Sequence, residues 1–410
     1  MKKLLLVLLI LSLFINHLNA NEKDLQIIQK DKKEYRLLDK ESIQTRQQSQ
    51  KYDWISPIDL SGNIGRNHSF SDENSRNLNN KNTKSASIGF TQSIFESGGI
   101  GFKMDYADNR FKYEMLSWEN QNSQLIYTIY NTLLDIKKLK LEINQNDYRI
   151  VNKDIELIIK KIQYEAGKTD IIELNNAIMS KNLILKEEIA LKNSLKEKEQ
   201  ELAKYTDLKY DEIEILDFQE TNKEIFLDKN YSILEADAKV EMLNSEYKIK
   251  KSQYLPKLSL SAKASYSNQD EKFNSMISDT NKDDASSSGS LILSMPLYDY
   301  TKSSKIQESK IEVLKQKALV NDLKNETAFE YEQIFTKIDT YLKQNETINK
   351  NIKLYEELIG ANQISSEAGM TSKYDLEILE NTKTINEFDI LINKINILQQ
   401  YAKLYFKIKN

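Results

Sequence analysis

The sequence predicts a mainly α-helical protein with membrane β-strands, built from two copies of one unit, a strand pair followed by a long helical hairpin. The phrase Glu165-Ala166-Gly167-Lys168-Thr169 recurs as Glu367-Ala368-Gly369-Met370-Thr371, at an offset of 202 residues. Long runs without Gly or Pro can be helical throughout, and an isolated Gly marks a place where a helix can reverse. Four such runs flank the repeated phrases: 102–166, 168–255, 297–359 and 370–410.

Composition excludes several classes of function. There is no Cys and there are two His, His17 and His68, so Cys nucleophiles and thiolate metal sites are ruled out and a His-based triad or zinc site is disfavoured. We therefore expect no enzyme, with no catalytic, cofactor-binding or metal-binding residue and no cofactor. The net charge of −4 also argues against nucleic acid as a partner.

The first 20 residues predict a secretory signal peptide. Met1-Lys2-Lys3 precedes an apolar run from Leu4 to Ile15, and the segment ends Leu18-Asn19-Ala20. The apolar run is too short to span a bilayer as a helix. Cleavage after Ala20 removes two lysines, which leaves 56 basic against 62 acidic residues, a net charge of −6.

The first structural repeat is expected over 21–208. Residues 22–50 are polar and predict a short helix. Ile58, Leu60 and the residues that follow alternate with polar residues, the period of a strand with two unlike faces. The predicted elements are strands at about 55–68 and 85–97 and helices at about 102–165 and 170–207.

Residues 209–229 are expected to connect this unit to a second repeat over 230–410. Pro57 and Pro256 lie 199 residues apart, and Phe95 and Tyr298 lie 203 apart, which supports a duplication. The predicted elements of the second repeat are strands at about 256–268 and 286–299 and helices at about 301–366 and 371–408.

Apolar residues along the first long helix recur at spacings of three, four and seven, which predicts a buried seam between packed helices. They are Ile129, Leu133, Ile136, Ile143, Val151, Ile155, Ile158 and Ile162.

The strands are long enough to cross an outer membrane when tilted. Aromatic residues stand where strands meet helices, at one height, as in an interfacial girdle. They are Trp54, Phe95, Tyr254, Tyr298 and Tyr300. The alternative is a soluble pair of β-hairpins packed on helices.

Four strands cannot close a membrane barrel, and open sheet edges are not tolerated in lipid. If the strands enter the membrane, several chains must contribute to one barrel. Three chains supply twelve strands, and their helices continue the barrel as a tube.

The chain resembles the TolC-like outer-membrane efflux proteins. The resemblance rests on an entry helix and strand at 234–241 and 252–261, on Pro296-Leu297-Tyr298-Asp299, and on the hairpin tip at 368–376. It covers essentially the whole mature chain in two copies. Before Pro57 the first copy lacks the extended entry-helix phrase and has only residues 22–50.

The resemblance implies a homotrimer in the outer membrane of a Gram-negative bacterium, with most of the chain in the periplasm. A 12-stranded barrel in contact with outer-membrane lipid continues as an α-helical periplasmic tunnel. The trimer serves a tripartite efflux or type I secretion system as a passive conduit. Its partners are a periplasmic adaptor and an inner-membrane transporter. Drugs, metals and proteins are not distinguished as substrates.

The resemblance also implies roles for residues near the hairpin tips. An acid six residues after the tip glycine lines the periplasmic aperture, which indicates Asp375 and, in the first copy, Glu173. A second acidic position holds Ile378 instead. Capping is the alternative for both acids, because each begins a helix. Four tip residues are expected to dock the adaptor: Gly167, Thr169, Gly369 and Thr371.

Two other classes of protein carry long helical hairpins. A periplasmic adaptor has one hairpin flanked by glycine-rich halves, whereas this chain has two hairpins without such flanks. A trimeric coiled-coil surface stalk has one uninterrupted repeat and a single membrane segment. Two strand pairs at a fixed offset favour the channel over both alternatives.

Overall fold

The computed structural model describes residues 25–69, 79–216, 218, 220–270, 282–367 and 372–409. The predicted signal peptide 1–20 and the tip residues Gly369 and Thr371 lie outside the described residues.

Seven α-helices and four β-strands follow one another in the described part of the chain. The helices are α1 Lys30–Tyr52, α2 Gly99–Glu165, α3 Ile171–Leu202, α4 Lys223–Asp228, α5 Tyr231–Ser252, α6 Lys302–Glu367 and α7 Lys373–Tyr405. The strands are β1 Asp59–Ser69, β2 Asn79–Phe95, β3 Lys257–Asp270 and β4 Lys282–Ser294. A 3₁₀ turn, Leu25–Ile27, precedes α1.

Helix α1 has 23 residues and α5 has 22. The first copy therefore has an entry helix as long as that of the second, although the expected phrase is missing from its sequence. Polar residues dominate α1, and its few apolar side chains that are buried, such as Ile43 at 6% exposure, are too sparse to form a recognisable motif.

The four strands form one antiparallel sheet in the order β1-β2-β3-β4. Strand β2 begins at Asn79, earlier than the expected position 85, because Asn79 to Thr83 pair with Ser69 to Gly65. It ends at Phe95, before the expected position 97, because Ser97 and Gly98 take positive φ values of 52° and 88° and turn the chain into α2. Within the described residues, β1 and β4 are the open edges of the sheet.

The chain divides into two compact units, which combine segments of both repeats. One contains 1–40, 116–235 and 321–410, and the other contains 41–115 and 236–320. The second unit holds the sheet.

In the first unit, side-chain contacts arrange four helices in the order α3-α2-α7-α6. Lys181 of α3 pairs with Asp154 of α2 at 2.5 Å. Gln145 of α2 donates to Asp389 of α7 at 2.6 Å. Helices α7 and α6 are joined by Lys383 and Glu356 at 3.0 Å.

The predicted apolar seam of α2 is buried over only part of its length. Ile129, Leu133 and Ile136 are fully buried, whereas Ile158 and Ile162 are 41% and 55% exposed. Between them the buried positions are taken by polar residues, Gln145, Asn146 and Asn152. The contacts reach α2 from both flanks, α3 and α7, so the covered positions do not follow one apolar stripe.

The end of α7 and the residues after it pack against the connector. Ile408 forms a β-bridge with Asn230, and Lys409 N donates to Lys229 O at 2.8 Å. The apolar cluster beneath contains Phe226, Ile334, Ile338, Leu404 and Ile408. These contacts fix the expected connector, 209–229, to the first unit.

No helix in the described part of the chain is long and apolar enough to cross a membrane.

Candidate functional site

The sheet has one apolar face and one face rich in serine, as the alternation predicts. Register places Leu60 opposite Ile88, and Ile88 opposite Ala264. The apolar face carries Leu60, Gly62, Ile64, Ala86, Ile88, Phe90, Leu258, Leu260, Ala262, Ala264, Tyr266, Leu291 and Leu293. Leu60 and Leu293 are 79% and 73% exposed, so this face is uncovered within the single chain.

The opposite face, the serine face, carries Ser61, Ser85, Ser87, Ser93, Ser259, Ser261, Ser265, Ser267, Ser286, Ser288 and Ser290. Several hydroxyls pair across strands. Ser61 and Ser87 lie 2.8 Å apart, Thr91 and Ser261 lie 3.0 Å apart, and Ser265 and Ser286 lie 2.9 Å apart. These hydroxyls satisfy one another and still offer lone pairs to water.

The aromatic residues predicted at the strand ends differ in environment. Phe95 is the register partner of Leu258, after a shift between Ser93 and Phe95, and so joins the apolar face. Tyr298 and Tyr300 are 84% and 88% exposed. These three side chains are available to an interface.

The other two aromatic residues brace the strand ends. Tyr254 is only 8% exposed, its hydroxyl donates to Asp299, and Lys302 Nζ lies 5.4 Å from its ring centroid. Trp54 is partly buried, and its carbonyl accepts from Gln92 Nε2 at 2.9 Å. Their contacts hold the turns between helices and strands.

The first hairpin end is a Schellman turn around Gly167. This residue has φ 69°; its N–H donates to Tyr164 O at 2.9 Å, and Lys168 N donates to Gln163 O at 2.8 Å. The pattern satisfies the last carbonyls of α2 and requires a left-handed residue. Thr169 follows in the turn before α3.

Helix α3 is capped by Asp170, whose side chain accepts from Glu173 N at 2.9 Å. Glu173 itself is exposed, and its carboxylate pairs with Lys160 Nζ at 3.0 Å. That pairing replaces the return hydrogen bond that a capping box predicts.

At the second hairpin end, α7 is capped by Ser372, whose hydroxyl accepts from Tyr374 N at 3.1 Å. Asp375 follows on the first turn with an exposed carboxylate. It has no ion-pair partner in the described part of the chain. The two aperture candidates therefore differ, because Lys160 balances the charge of Glu173.

Polar contacts between α2 and α7 were not predicted from the sequence. Asn152 donates to Thr382 Oγ1 at 3.3 Å and accepts from Asn381 Nδ2 at 2.9 Å. The break in the apolar spacing of α2 near Asp147 was the available signal, because a polar residue at a seam position needs a polar partner. These contacts tie the two hairpins together at positions near the second tip.

Among the described residues, no group of three or more His, Cys, Asp or Glu side chains could hold a metal ion.

Comparison with known proteins agrees with the fold and the alternating sheet. Residues 224–403 match the family model described as outer membrane efflux protein, which confirms the resemblance seen in the sequence. No curated protein sequence matches the chain significantly.

Solved structures with the same fold are outer-membrane proteins. The CmeC outer membrane channel of Campylobacter jejuni has a TM-score of 0.70 and 12% identity, covering 92% of this chain and 84% of that one. For the outer membrane protein VceC of Vibrio cholerae the values are 0.68, 14%, 93% and 94%. For the MtrE outer membrane channel of Neisseria gonorrhoeae, in its open state, they are 0.68, 12%, 94% and 87%. At these identities the likeness shows a shared fold.

Proposed function

We propose that this protein is the outer-membrane channel of a tripartite efflux or type I secretion system, a passive conduit driven by inner-membrane partners. The observation that carries the proposal is the sheet, whose apolar face is uncovered, whose opposite face is lined by hydroxyls, and whose two edges are open. The family match and the shared fold support it. Transport through a water-filled tube needs no catalytic group, and no enzymatic activity is proposed.

Self-association satisfies the open sheet. In lipid, unpaired backbone groups at the edges of β1 and β4 each cost several kcal/mol, so a sheet there must close. Three copies joined β4 to β1 supply twelve strands, a number within the range of membrane barrels. The apolar face then meets lipid and the serine face meets water.

The helix layer of the first unit supports the same association. Its outer helices, α3 and α6, carry exposed apolar side chains: Ile172, Met179 and Leu183 at 62–66%, and Phe329, Leu354 and Ile364 at 57–73%. Large exposed apolar side chains in rows mark contact surfaces. A head-to-tail contact of α3 with α6 of the next copy buries both rows and makes a ring of helices, the periplasmic tunnel.

The proposed location is the outer membrane of a Gram-negative bacterium, with the helices in the periplasm. Phe95, Tyr298 and Tyr300 fit the periplasmic interface, where amphipathic rings are favoured. The hairpin ends at Gly167, Thr169, Gly369 and Thr371 are the proposed contacts for a periplasmic adaptor, which joins the channel to an inner-membrane transporter.

Asp375 is the stronger candidate for the periplasmic aperture. An exposed carboxylate repeated in each copy concentrates cations at a narrow opening. Glu173 is the weaker candidate, since Lys160 neutralises it.

The adaptor and the surface stalk remain disfavoured. A single four-stranded sheet made from both repeats fits neither one hairpin between glycine-rich halves nor a stalk with one membrane segment.

Oligomeric state and conductance test the proposal together. We expect the purified protein to form a detergent-stable oligomer that conducts ions in planar lipid bilayers. A monomer that does not conduct contradicts the channel assignment.

Thiol labelling tests the two faces directly, because the chain has no native Cys. In reconstituted Ser87→Cys protein, we expect rapid reaction with a charged, membrane-impermeant thiol reagent. In the matched variant Ile88→Cys, one position along the same strand, we expect protection from that reagent and reaction with a lipid-soluble one. Equal reaction of both positions with the charged reagent excludes a sheet with one face in lipid.

A further inference from the structure

The apolar face of the sheet changes character at the end opposite the helices. Ile64 pairs with Lys84, and Arg66 pairs with Asn82 one row further out. All four positions continue the apolar face, because residues two apart along a strand point to the same side. We name Arg66 and Lys84 the cationic rim.

We propose that the cationic rim binds the phosphate of a phosphorylated lipid in the outer leaflet, with an acyl chain of that lipid in the adjoining hollow. This inference rests on the proposed function, because it requires the apolar face to lie in the membrane.

The two cations are close enough to share one phosphate. Arg66 and Lys84 are diagonal neighbours across the β1–β2 pair, a relation that brings Cα atoms to about 7–8 Å and long side chains into reach of one another. Arg66 is exposed and Lys84 is half-buried. Arginine adds a planar pair of donors that matches phosphate oxygens.

The rim lies at the height of lipid headgroups. Leu258 pairs with Phe95 at the helix end of the sheet, and Asn268, ten residues later, pairs with Lys84. Ten residues at about 3.3 Å each, tilted by about 40°, rise about 25 Å, the height of the apolar band on membrane β-sheets. The rows between are apolar, so the first cations meet the far surface of the hydrocarbon.

A hollow of about 580 Å³ opens beside the rim on the apolar face. It forms because Gly62 and Ala86, which pair directly, leave little side chain between larger neighbours. Ile64 and Tyr266, 67% and 48% exposed, stand around it, and Lys84 and Asn268 line its polar end. A groove with an apolar floor and a cationic end is complementary to an acyl chain that carries an anionic headgroup.

Charge also favours an anion here. Among the described side chains on the apolar face of the four strands, none is acidic, whereas Asp59 and Asp284 belong to the serine face. Basic groups at a membrane surface attract anionic lipids with energies that add from one residue to the next.

Lipid retention by the reconstituted channel tests the inference. The probes are lipid A, which carries phosphate, and dephosphorylated lipid A, each mixed into phosphatidylcholine nanodiscs and counted per chain after purification. We expect wild-type protein to enrich lipid A over the dephosphorylated form. The variant Arg66→Ser/Lys84→Ser is expected to bind lipid A about thirty-fold more weakly, the effect of two surface cations. A matched control, Lys337→Ser/Lys350→Ser, removes the same charge from exposed positions on α6 and should bind as wild type does.

Several results overturn the inference. Equal retention by wild type and the rim variant removes the rim from lipid binding. Equal retention of both lipids shows that the phosphate is not recognised, and displacement of lipid A by inorganic phosphate indicates a site for the free anion. If the double variant does not fold, the swap Arg66→Lys/Lys84→Arg and the single Ser variants take its place, with retention by the swap and about five-fold losses in each single variant.

Conductance separates this inference from the proposed function. A rim variant that conducts like wild type while retaining lipid A contradicts the lipid site and leaves the channel intact. Preparations of wild type that neither conduct nor hold lipid contradict the channel itself.

Discussion

Gly167 shows how one residue shapes a hairpin end. At φ 69° its backbone lies in the left-handed region, where a side chain costs about 1–2 kcal/mol. A Cβ there would meet no atom within 4 Å, so any penalty for a substitution comes from the backbone and not from a clash.

We predict that Gly167→Ala lowers the free energy of unfolding by about 1 kcal/mol, because alanine is strained at this φ. Gly360 is the matched control, since it lies within α6 and also has open space at its Cβ position. Gly360→Ala should raise stability by about 0.5–1 kcal/mol through helix propensity. Thermal unfolding followed by the far-ultraviolet helical signal measures both. Equal shifts in the same direction would contradict the turn assignment.

At the scale of elements, long helices and alternating strands could be predicted from the sequence because their signals are local. Absence of Gly and Pro indicated α2, α3, α6 and α7, and period-two alternation indicated the apolar ends of all four strands. The outer part of β2 was missed, because Asn79 to Thr83 are polar on both faces and only pairing with β1 makes them a strand. Pairing is a long-range property that a local pattern does not contain.

The candidate sites divide in the same way. The Schellman turn at Gly167 and the caps at Asp170 and Ser372 are local and could be predicted. The partners of Glu173 and Asn152 lie on neighbouring helices, and the sequence does not state which helices are neighbours. The order α3-α2-α7-α6 supplies that information, and with it the difference between the two aperture candidates.

Glu330 joins α6 to the end of α7. Lys403 and Lys407 donate to its carboxylate at 2.8 and 2.6 Å. Burial alone raises the pKa of Glu330, but the two lysines more than offset burial and hold this pKa below its ordinary value of 4.5. A carboxylate with a lowered pKa contributes stability that is complete above its unfolded pKa and is lost as pH falls through the folded one.

We therefore predict that Glu330→Gln lowers the free energy of unfolding by about 2 kcal/mol at neutral pH, because two lysines lose their shared partner. The difference from wild type should shrink as pH falls below about 4. Glu332→Gln is the control, since Glu332 is 60% exposed and pairs only with Lys223, a surface pair worth about 0–1 kcal/mol. Thermal unfolding at several pH values measures the effect. A difference that persists unchanged in acid would contradict the ion-pair explanation.

At the scale of the whole molecule, the two compact units present the same problem separately. The sheet has open edges at β1 and β4, and the helix layer has exposed apolar rows on α3 and α6. In both units the unsatisfied elements are the first and last of the layer, so one head-to-tail contact can complete both. Repetition of that contact closes a ring only if the rotation per copy divides a full turn, and four strands per copy make three copies sufficient for a membrane barrel.

In such a ring each side chain is repeated once per copy, so a single substitution changes every copy at once. An exposed carboxylate at a narrow opening therefore acts as a ring of charge. We predict that Asp375→Asn lowers the preference for cations over anions in planar bilayers, seen as a reversal potential closer to zero under a KCl gradient. Glu377→Gln is the matched control, because Glu377 is also exposed but lies two residues further along α7, about 200° around the helix. The Asn side chain remains compatible with the first turn of a helix, so single-channel conductance and oligomer size should persist. A reversal potential unchanged by Asp375→Asn but shifted by Glu377→Gln would move the aperture to the other side of α7, and no shift in either variant would leave Asp375 with a capping role alone.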